Sequence, residues 1–302
     1  MSVALLFPGQ GSQHVGMGHE IYHAEPASRA VFDLADQKLG FSLSTICFSG
    51  PKDELTDTVN QQPALYVTSI AAWRAAQTKG WPLPEYVAGH SLGELSALAA
   101  AGSMDFSDGL YLVRRRAELM KAAGEREPGA MAAILALDVK QVEDICEQAQ
   151  RETSKPVQMA NDNCPGQVVI SGDRSALEMA TTLARDAGAR KVVILPITIA
   201  AHSALMNSSV AEFSEAVDGT PFVTPEIPVI GNVSGRPLTS SDDIRVELKA
   251  QLTAPVQWTR SMRYLLDEGV DTFVETGPGD VLLGLMKRID RKASRVKLME
   301  SI

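Results

Sequence analysis

The stretch Tyr86-Val87-Ala88-Gly89-His90-Ser91-Leu92-Gly93 restricts the fold of this chain more than any other. A short apolar run is followed at once by Gly89-His90-Ser91-Leu92-Gly93, which matches G-x-S-x-G, and then by a Leu- and Ala-rich run over 92–101 that reads as a helix. A strand that passes into a helix through so tight a turn leaves no room for side chains where it meets its neighbours, hence the two glycines. The serine is then held in strained backbone geometry with its hydroxyl exposed at the start of the helix. Backbone N–H groups at the same place can stabilise an oxyanion. Taken alone the pattern also describes a glycine-bounded turn. The strand before it and the helix after it favour a nucleophile.

The rest of the chain supports an α/β fold. Residues 3–7 form a continuously apolar run ending in Pro-Gly, the signature of a buried parallel strand. Residues 61–79 and 105–123 have helical composition, the latter with Leu110, Val113, Ala117 and Met120 at three- and four-residue spacing. The pattern then changes. Residues 129–137 read as a strand, 139–151 as an amphipathic helix, 156–160 and 167–171 as strands joined by the turn-rich Asn161-Asp162-Asn163-Cys164-Pro165-Gly166, 174–187 as a helix and 191–196 as a strand. That is the β-α-β-β-α-β order of a ferredoxin-like unit. Strands at 227–231 and 270–275 and a helix opened by Gly277-Pro278-Gly279-Asp280 follow. The expected architecture is an α/β-hydrolase-like large domain with a parallel sheet, residues 1–127 and 198–302, interrupted by a small ferredoxin-like domain over 128–197.

A serine nucleophile needs a base within hydrogen-bond reach. The chain has five histidines: His14, His19, His23, His90 and His202. His90 adjoins Ser91 on a sharp turn, where neighbouring side chains point apart, and the first three precede the nucleophile. His202 follows it, just past the strand at 191–196, in the chain order of α/β-hydrolase-like folds. His202 is the candidate base. His19-Glu20-Ile21-Tyr22-His23 is also a literal H-E-x-x-H, a zinc-protease pattern. Pro26 interrupts that helix and no glutamate lies between Glu25 and Glu54 to complete a ligand set, so no metal site is expected.

A net charge of −9 makes nucleic acid a poor partner. No stretch approaches a membrane span, and residues 1–13 lack the basic start of a signal peptide. Three cysteines without metal-ligand spacing suit reduced thiols, and the expected setting is cytoplasmic.

Phe7-Pro8-Gly9-Gln10-Gly11-Ser12-Gln13, Gln62-Pro63-Ala64, Gly89–Gly93, Gly129-Ala130-Met131-Ala132-Ala133, Ala160-Asn161-Asp162-Asn163, Pro165-Gly166-Gln167, Pro255-Val256-Gln257-Trp258 and Glu275-Thr276-Gly277-Pro278-Gly279 occur in that order along nearly the whole chain. Together they resemble the malonyl-CoA:acyl-carrier-protein transacylases and the acyltransferase domains of fatty-acid and polyketide synthases. The resemblance implies transfer of a malonyl group from malonyl-CoA to the phosphopantetheine thiol of an acyl carrier protein, with coenzyme A thioester as substrate and no cofactor. It maps the nucleophile and base onto Ser91 and His202 and the two oxyanion donors onto the backbone N–H groups of Gln10 and Leu92. It maps a carbonyl that orients the imidazole onto Gln257, and the group that grips the malonyl carboxylate onto Arg116.

Arg116 lies on the edge of the apolar stripe of its helix, whereas Arg114 and Arg115 fall further from it, and a planar fork suits a carboxylate. Asn161 and Asn163 are candidate pocket residues that could equally shape the turn. An acidic carrier protein requires a basic rim, for which Lys155, Arg190 and Lys191 are candidates. Ala200 and Ala201 precede the base where relatives carry bulkier or more polar residues, so a larger acyl group is expected to fit. A monomer is expected. A plain esterase using the same serine and histidine is the main alternative.

Overall fold

The computed structural model describes residues 2–302. Its strands are β1 (Val3–Phe7), β2 (Tyr86–Gly89), β3 (Gly129–Leu135), β4 (Val157–Cys164), β5 (Gln167–Asp173), β6 (Lys191–Ile194), β7 (Val229–Ile230), β8 (Pro237–Leu238), β9 (Thr272–Glu275) and β10 (Ser294–Lys297). The larger sheet has the order β10-β9-β1-β2-β7-β8. It is parallel from β10 to β7, and only β8 runs antiparallel.

Alternation along these strands feeds two separate cores. Leu5, Phe7, Val87, Val229 and Val274 face one, and Ala4, Leu6, Ala88, Ile230 and Phe273 face the other. Both faces are covered, as a parallel sheet requires. On the first side lies the helix α1 (Thr58–Thr78), almost wholly buried. On the same side are α2 (Gly93–Ala100) and α3 (Phe106–Arg126). The second side carries α4 (Trp258–Asp267) and α5 (Val281–Ile289).

The smaller sheet is antiparallel with the order β4-β5-β3-β6, the ferredoxin-like arrangement. Helices Val139–Thr153 and Arg174–Asp186 cover one of its faces through Ile134, Val142, Ile170 and Leu177. The opposite face presents Met131, Ala160 and Val169 to a small separate cluster with Leu195, Ile197 and Ala201. That face looks onto the large domain. The two units are stitched at β4, where Asp162 N–H donates to Val256 O (2.9 Å) and Val256 N–H to Ala160 O (2.8 Å).

Two expectations change. β4 does not stop at Ala160 but runs to Cys164, so Asn161, Asp162 and Asn163 are strand residues and the turn shrinks to Pro165-Gly166. The pairing with Val256 supplies the reason, because a second partner on the outer edge holds residues whose local preference is for turns. Pro26 ends the first helix as expected, yet it also starts the next one, occupying the first turn of Pro26–Leu39, where a missing N–H costs nothing.

Candidate active site

Four adjacent strands of the larger sheet end at one place: β9 in Thr276–Gly279, β1 in the Pro8–Ser12 loop, β2 in Ser91 and β7 in Asn232. In open α/β sheets such carboxyl ends are where ligands bind. Ser91 has φ 52°, the left-handed conformation that β2 must adopt to pass directly into α2. A Cβ on Gly89 would fall 1.9 Å from the backbone carbon of Gly93, and one on Gly93 would fall 2.0 Å from Phe7 O. Both positions are therefore limited to glycine, and the turn lifts the Ser91 hydroxyl clear of the sheet.

The imidazole of His202 meets it. Ser91 Oγ and His202 Nε2 are 2.8 Å apart. His202 Nδ1 lies 2.8 Å from Gln251 O and 3.1 Å from Ala254 O. A carbonyl can only accept, so Nδ1 carries the hydrogen and Nε2 is left to accept the serine proton. The ring is buried, at 3% exposure. Burial first, and then the positive charge of Arg116, push its pKa down to about 3, against the smaller opposing effect of the two carbonyls. The resting base is neutral.

The carbonyl that orients the imidazole is not that of Gln257, as the resemblance implied. Gln257 O accepts from Ser261 N–H (3.0 Å) as the first turn of α4 closes, and the imidazole finds its partners elsewhere. The acceptors are Gln251 O, at the end of the helix Ser241–Gln251, and Ala254 O just beyond. The last carbonyls of a helix have no partner within it and carry its negative end, which suits an imidazole that must become positive.

Arg116 is 1% exposed, and burial lowers its pKa to about 10, which leaves it charged. Its Nε donates to Gln251 Oε1 (3.0 Å), Nη1 to Gln62 Oε1 (2.7 Å) and Nη2 to Ser91 Oγ (3.0 Å). These acceptors are neutral, and no carboxylate pairs with this arginine among the described residues. One N–H remains on each terminal nitrogen, a fork beside the serine. Arg114 and Arg115, by contrast, lie partly exposed and pair with Glu118 and Glu212.

Gln10, Ser91, Leu92, Arg116, Asn161, Asn163 and His202 line one cavity of about 190 Å³. The N–H groups of Gln10 and Leu92 find no backbone acceptor among the described residues, as oxyanion donors should not. Asn163 Oδ1 accepts from His90 Nε2 (2.8 Å), which fixes the residue beside the nucleophile to the small sheet. Ala201 also borders the cavity, whereas Ala200 is buried in the core against Gly129, so one of the two alanines shapes the acyl wall.

Sequence reasoning missed Gln62 as an arginine partner, along with Gln251, Asn232 and Glu94. Asn232 Oδ1 accepts from Ser91 N–H (2.7 Å) and its Nδ2 donates to Gly89 O (2.7 Å), so it clamps the elbow from both sides. Gln62 could have been suspected only as one of several polar residues, with Gln61, Thr68 and Ser69, in a helix that is almost wholly buried. Gln251 carries no such signal, since its most direct role belongs to its main chain.

The basic rim does not form as expected. Lys155 precedes β4 and Arg190-Lys191 opens β6; these are opposite edges of the small sheet, running in opposite directions, so the two groups sit at opposite corners. His19 and His23 stack edge-to-face with ring centroids 4.5 Å apart, and no group of three metal-ligating side chains occurs among the described residues. Cys47, Cys146 and Cys164 are buried and unpaired. No helix is long and apolar enough to cross a membrane among the described residues.

Comparison with known proteins gives the same picture. The profile of the acyl transferase domain family matches residues 4–302. The malonyl CoA-acyl carrier protein transacylase of Bacillus subtilis (strain 168) is 43% identical over 298 residues, spanning 99% of this chain and 93% of that protein. The solved structure of the malonyl CoA-acyl carrier protein transacylase of Coxiella burnetii superposes with a TM-score of 0.96 at 36% identity, covering 99% of this chain and 94% of the other. A malonyl-transacylase solved in complex with its type II polyketide acyl-carrier protein gives a TM-score of 0.95 at 38% identity, covering 98% and 96%.

Proposed function

The chain belongs to the acyl transferase domain family, and from that membership and its site we infer that it transfers the malonyl group of malonyl-CoA to the phosphopantetheine thiol of an acyl carrier protein. The single observation that carries the residue assignment is the 2.8 Å contact between Ser91 Oγ and His202 Nε2, with Arg116 on the same hydroxyl.

In the first half-reaction Ser91 Oγ attacks the thioester carbonyl as its proton passes to His202 Nε2. The developing oxyanion accepts from Gln10 and Leu92 N–H, each such donor contributing about 2.7–4 kcal/mol in comparable sites. The imidazolium is stabilised by Gln251 O and Ala254 O and gives its proton to the departing sulfur of coenzyme A. The carrier thiol then attacks the malonyl-serine ester by the reverse path. The free malonyl carboxylate docks on the two remaining N–H groups of Arg116. Neutralising that guanidinium removes the second of the influences that depress His202, so the base strengthens as the correct substrate seats. Asn161 and Asn163 shape the pocket from the small sheet. Each step described is carried by a side chain or backbone group of this chain, so the reading calls for no cofactor. The buried, unpaired thiols support a cytoplasmic setting, where the product feeds fatty-acid or polyketide synthesis.

The test is turnover of malonyl-CoA with holo and apo acyl carrier protein in parallel, read by mass spectrometry of the carrier. Malonyl should appear on the holo form only. Steady release of free malonate at the same rate with no thiol present would make the protein a hydrolase instead.

A further inference from the structure

Glu94 is the one fully buried carboxylate next to the nucleophile, three residues past it in the first turn of α2, and the mechanism above does not use it. One carboxylate oxygen accepts from Asn232 N–H (2.9 Å) and the other from the side-chain amide of Gln251. These two residues hold the site. Asn232 binds the N–H of Ser91, and the Gln251 amide donates also to Ser91 O (3.0 Å). The other end of that amide, Oε1, accepts from Arg116 Nε, and the Gln251 main chain accepts from His202.

A carboxylate accepts and cannot donate, so it settles which way round the Gln251 amide lies. Nε2 must face Glu94 and Ser91 O, and Oε1 is thereby turned to Arg116. Arg116 has only neutral partners before substrate arrives, and the Glu94 charge lies one amide away in surroundings of low dielectric, where the attraction is little screened. Burial and the neighbouring Glu247 carboxylate push Glu94 up, but both of its oxygens face N–H donors, Asn232 N–H and the Gln251 amide, which oppose that rise and favour the ionised form.

We propose that Glu94 is a positioning residue that sets acyl selectivity: through the Gln251 amide it keeps the Arg116 fork aimed at the substrate's far carboxylate. The proposal rests on the reading of Arg116 as the malonate grip.

Glu94→Gln tests it with almost no change in shape. The new side chain must offer its oxygen to Asn232 N–H, which turns its NH₂ to Gln251. If Gln251 keeps its orientation, two N–H groups face each other there; if it flips, its N–H faces Arg116 Nε. Either way one hydrogen bond on the arginine path is lost, which corresponds to a change on the order of tenfold.

The experiment measures kcat/KM for malonyl-CoA and acetyl-CoA in the wild type, Glu94→Gln, Arg116→Ala and the double variant, with Gln251→Met as a second cut of the same path should Glu94→Gln fail to fold. The malonyl-to-acetyl ratio is expected to fall on the order of tenfold in Glu94→Gln or Gln251→Met, and to fall no further when Glu94→Gln is added to Arg116→Ala. A ratio that collapses in Arg116→Ala but not in Glu94→Gln or Gln251→Met overturns the proposal and leaves the arginine reading standing. Equal losses on both substrates, or an undiminished extra loss in the double variant, also overturn it. A ratio unchanged in Arg116→Ala refutes the arginine reading itself.

Discussion

Replacing Arg116 by alanine separates recognition of the acyl group from the chemistry of the serine. In the wild type the guanidinium is 1% exposed, donates to two glutamine oxygens and Ser91 Oγ, and keeps one N–H on each terminal nitrogen. A malonyl carboxylate seated there is a buried, bidentate ion pair. Removing one partner of such a pair strands the other, at a cost of about 3–5 kcal/mol. That corresponds to a loss of roughly 100- to 4,000-fold in kcat/KM for malonyl-CoA. An acetyl group has nothing to strand. It loses only the bond from Arg116 to Ser91 Oγ, about 1.5–3 kcal/mol. The loss is partly offset because His202 no longer faces a positive charge and becomes a stronger base. Acetyl transfer should therefore fall about tenfold or less, and selectivity should collapse by at least about tenfold. The assay is single-turnover acylation of Ser91 from the two thioesters, followed by intact mass, with thermal unfolding as a control for the orphaned Gln62 and Gln251 oxygens. Equal losses on both substrates would refute the carboxylate reading.

Four other outcomes follow from the same geometry. His202 is held near 3, below its ordinary 6.5, so in the free enzyme the base stays unprotonated well below neutral pH, and the acid limb of kcat/KM should lie below pH 6; a limb at pH 6.5–7 would contradict the burial argument. For the same reason the unfolded chain takes up a proton that the folded one refuses, so stability should decline as pH falls from about 6.5 toward 3, and His202→Gln should flatten that slope in urea melts at a series of pH values. Gly93→Ala forces a Cβ to within 2.0 Å of Phe7 O and should cost about 3 kcal/mol or more, visible as a lowered Tm or loss of soluble protein. Ala201→Phe narrows the acyl wall and should suppress methylmalonyl transfer more than malonyl transfer in a competition assay, while the same change at buried Ala200 should unfold the protein.

Much of this was legible in the residues, for reasons that also explain the misses. β1 and β2 are buried on both faces and read as continuous apolar runs; β10, Ser294-Arg295-Val296-Lys297, is a polar edge strand of four residues with no such signal. Arg116 stood out because an arginine at the edge of an apolar stripe must find partners inside, and it did find them. Asn161 and Asn163 were ambiguous because their composition favours a turn, and a strand partner distant in sequence, Val256, overrides it. The error at Gln257 has a different origin. What His202 needs is a main-chain carbonyl at a helix end, and any residue can supply one, so no side chain marks the position. Glu94, inside the elbow helix, reads from sequence as an ordinary first-turn acid, and only the fold shows that it is buried between the two amides that hold the site.

The most direct check is to quench the protein with labelled malonyl-CoA in the absence of a carrier, digest it and locate the label. The label should sit on the peptide that contains Ser91 and be lost on adding holo acyl carrier protein. It should be absent from Ser91→Ala and form slowly in His202→Ala. Label on any other peptide, or undiminished turnover in Ser91→Ala, would contradict the account.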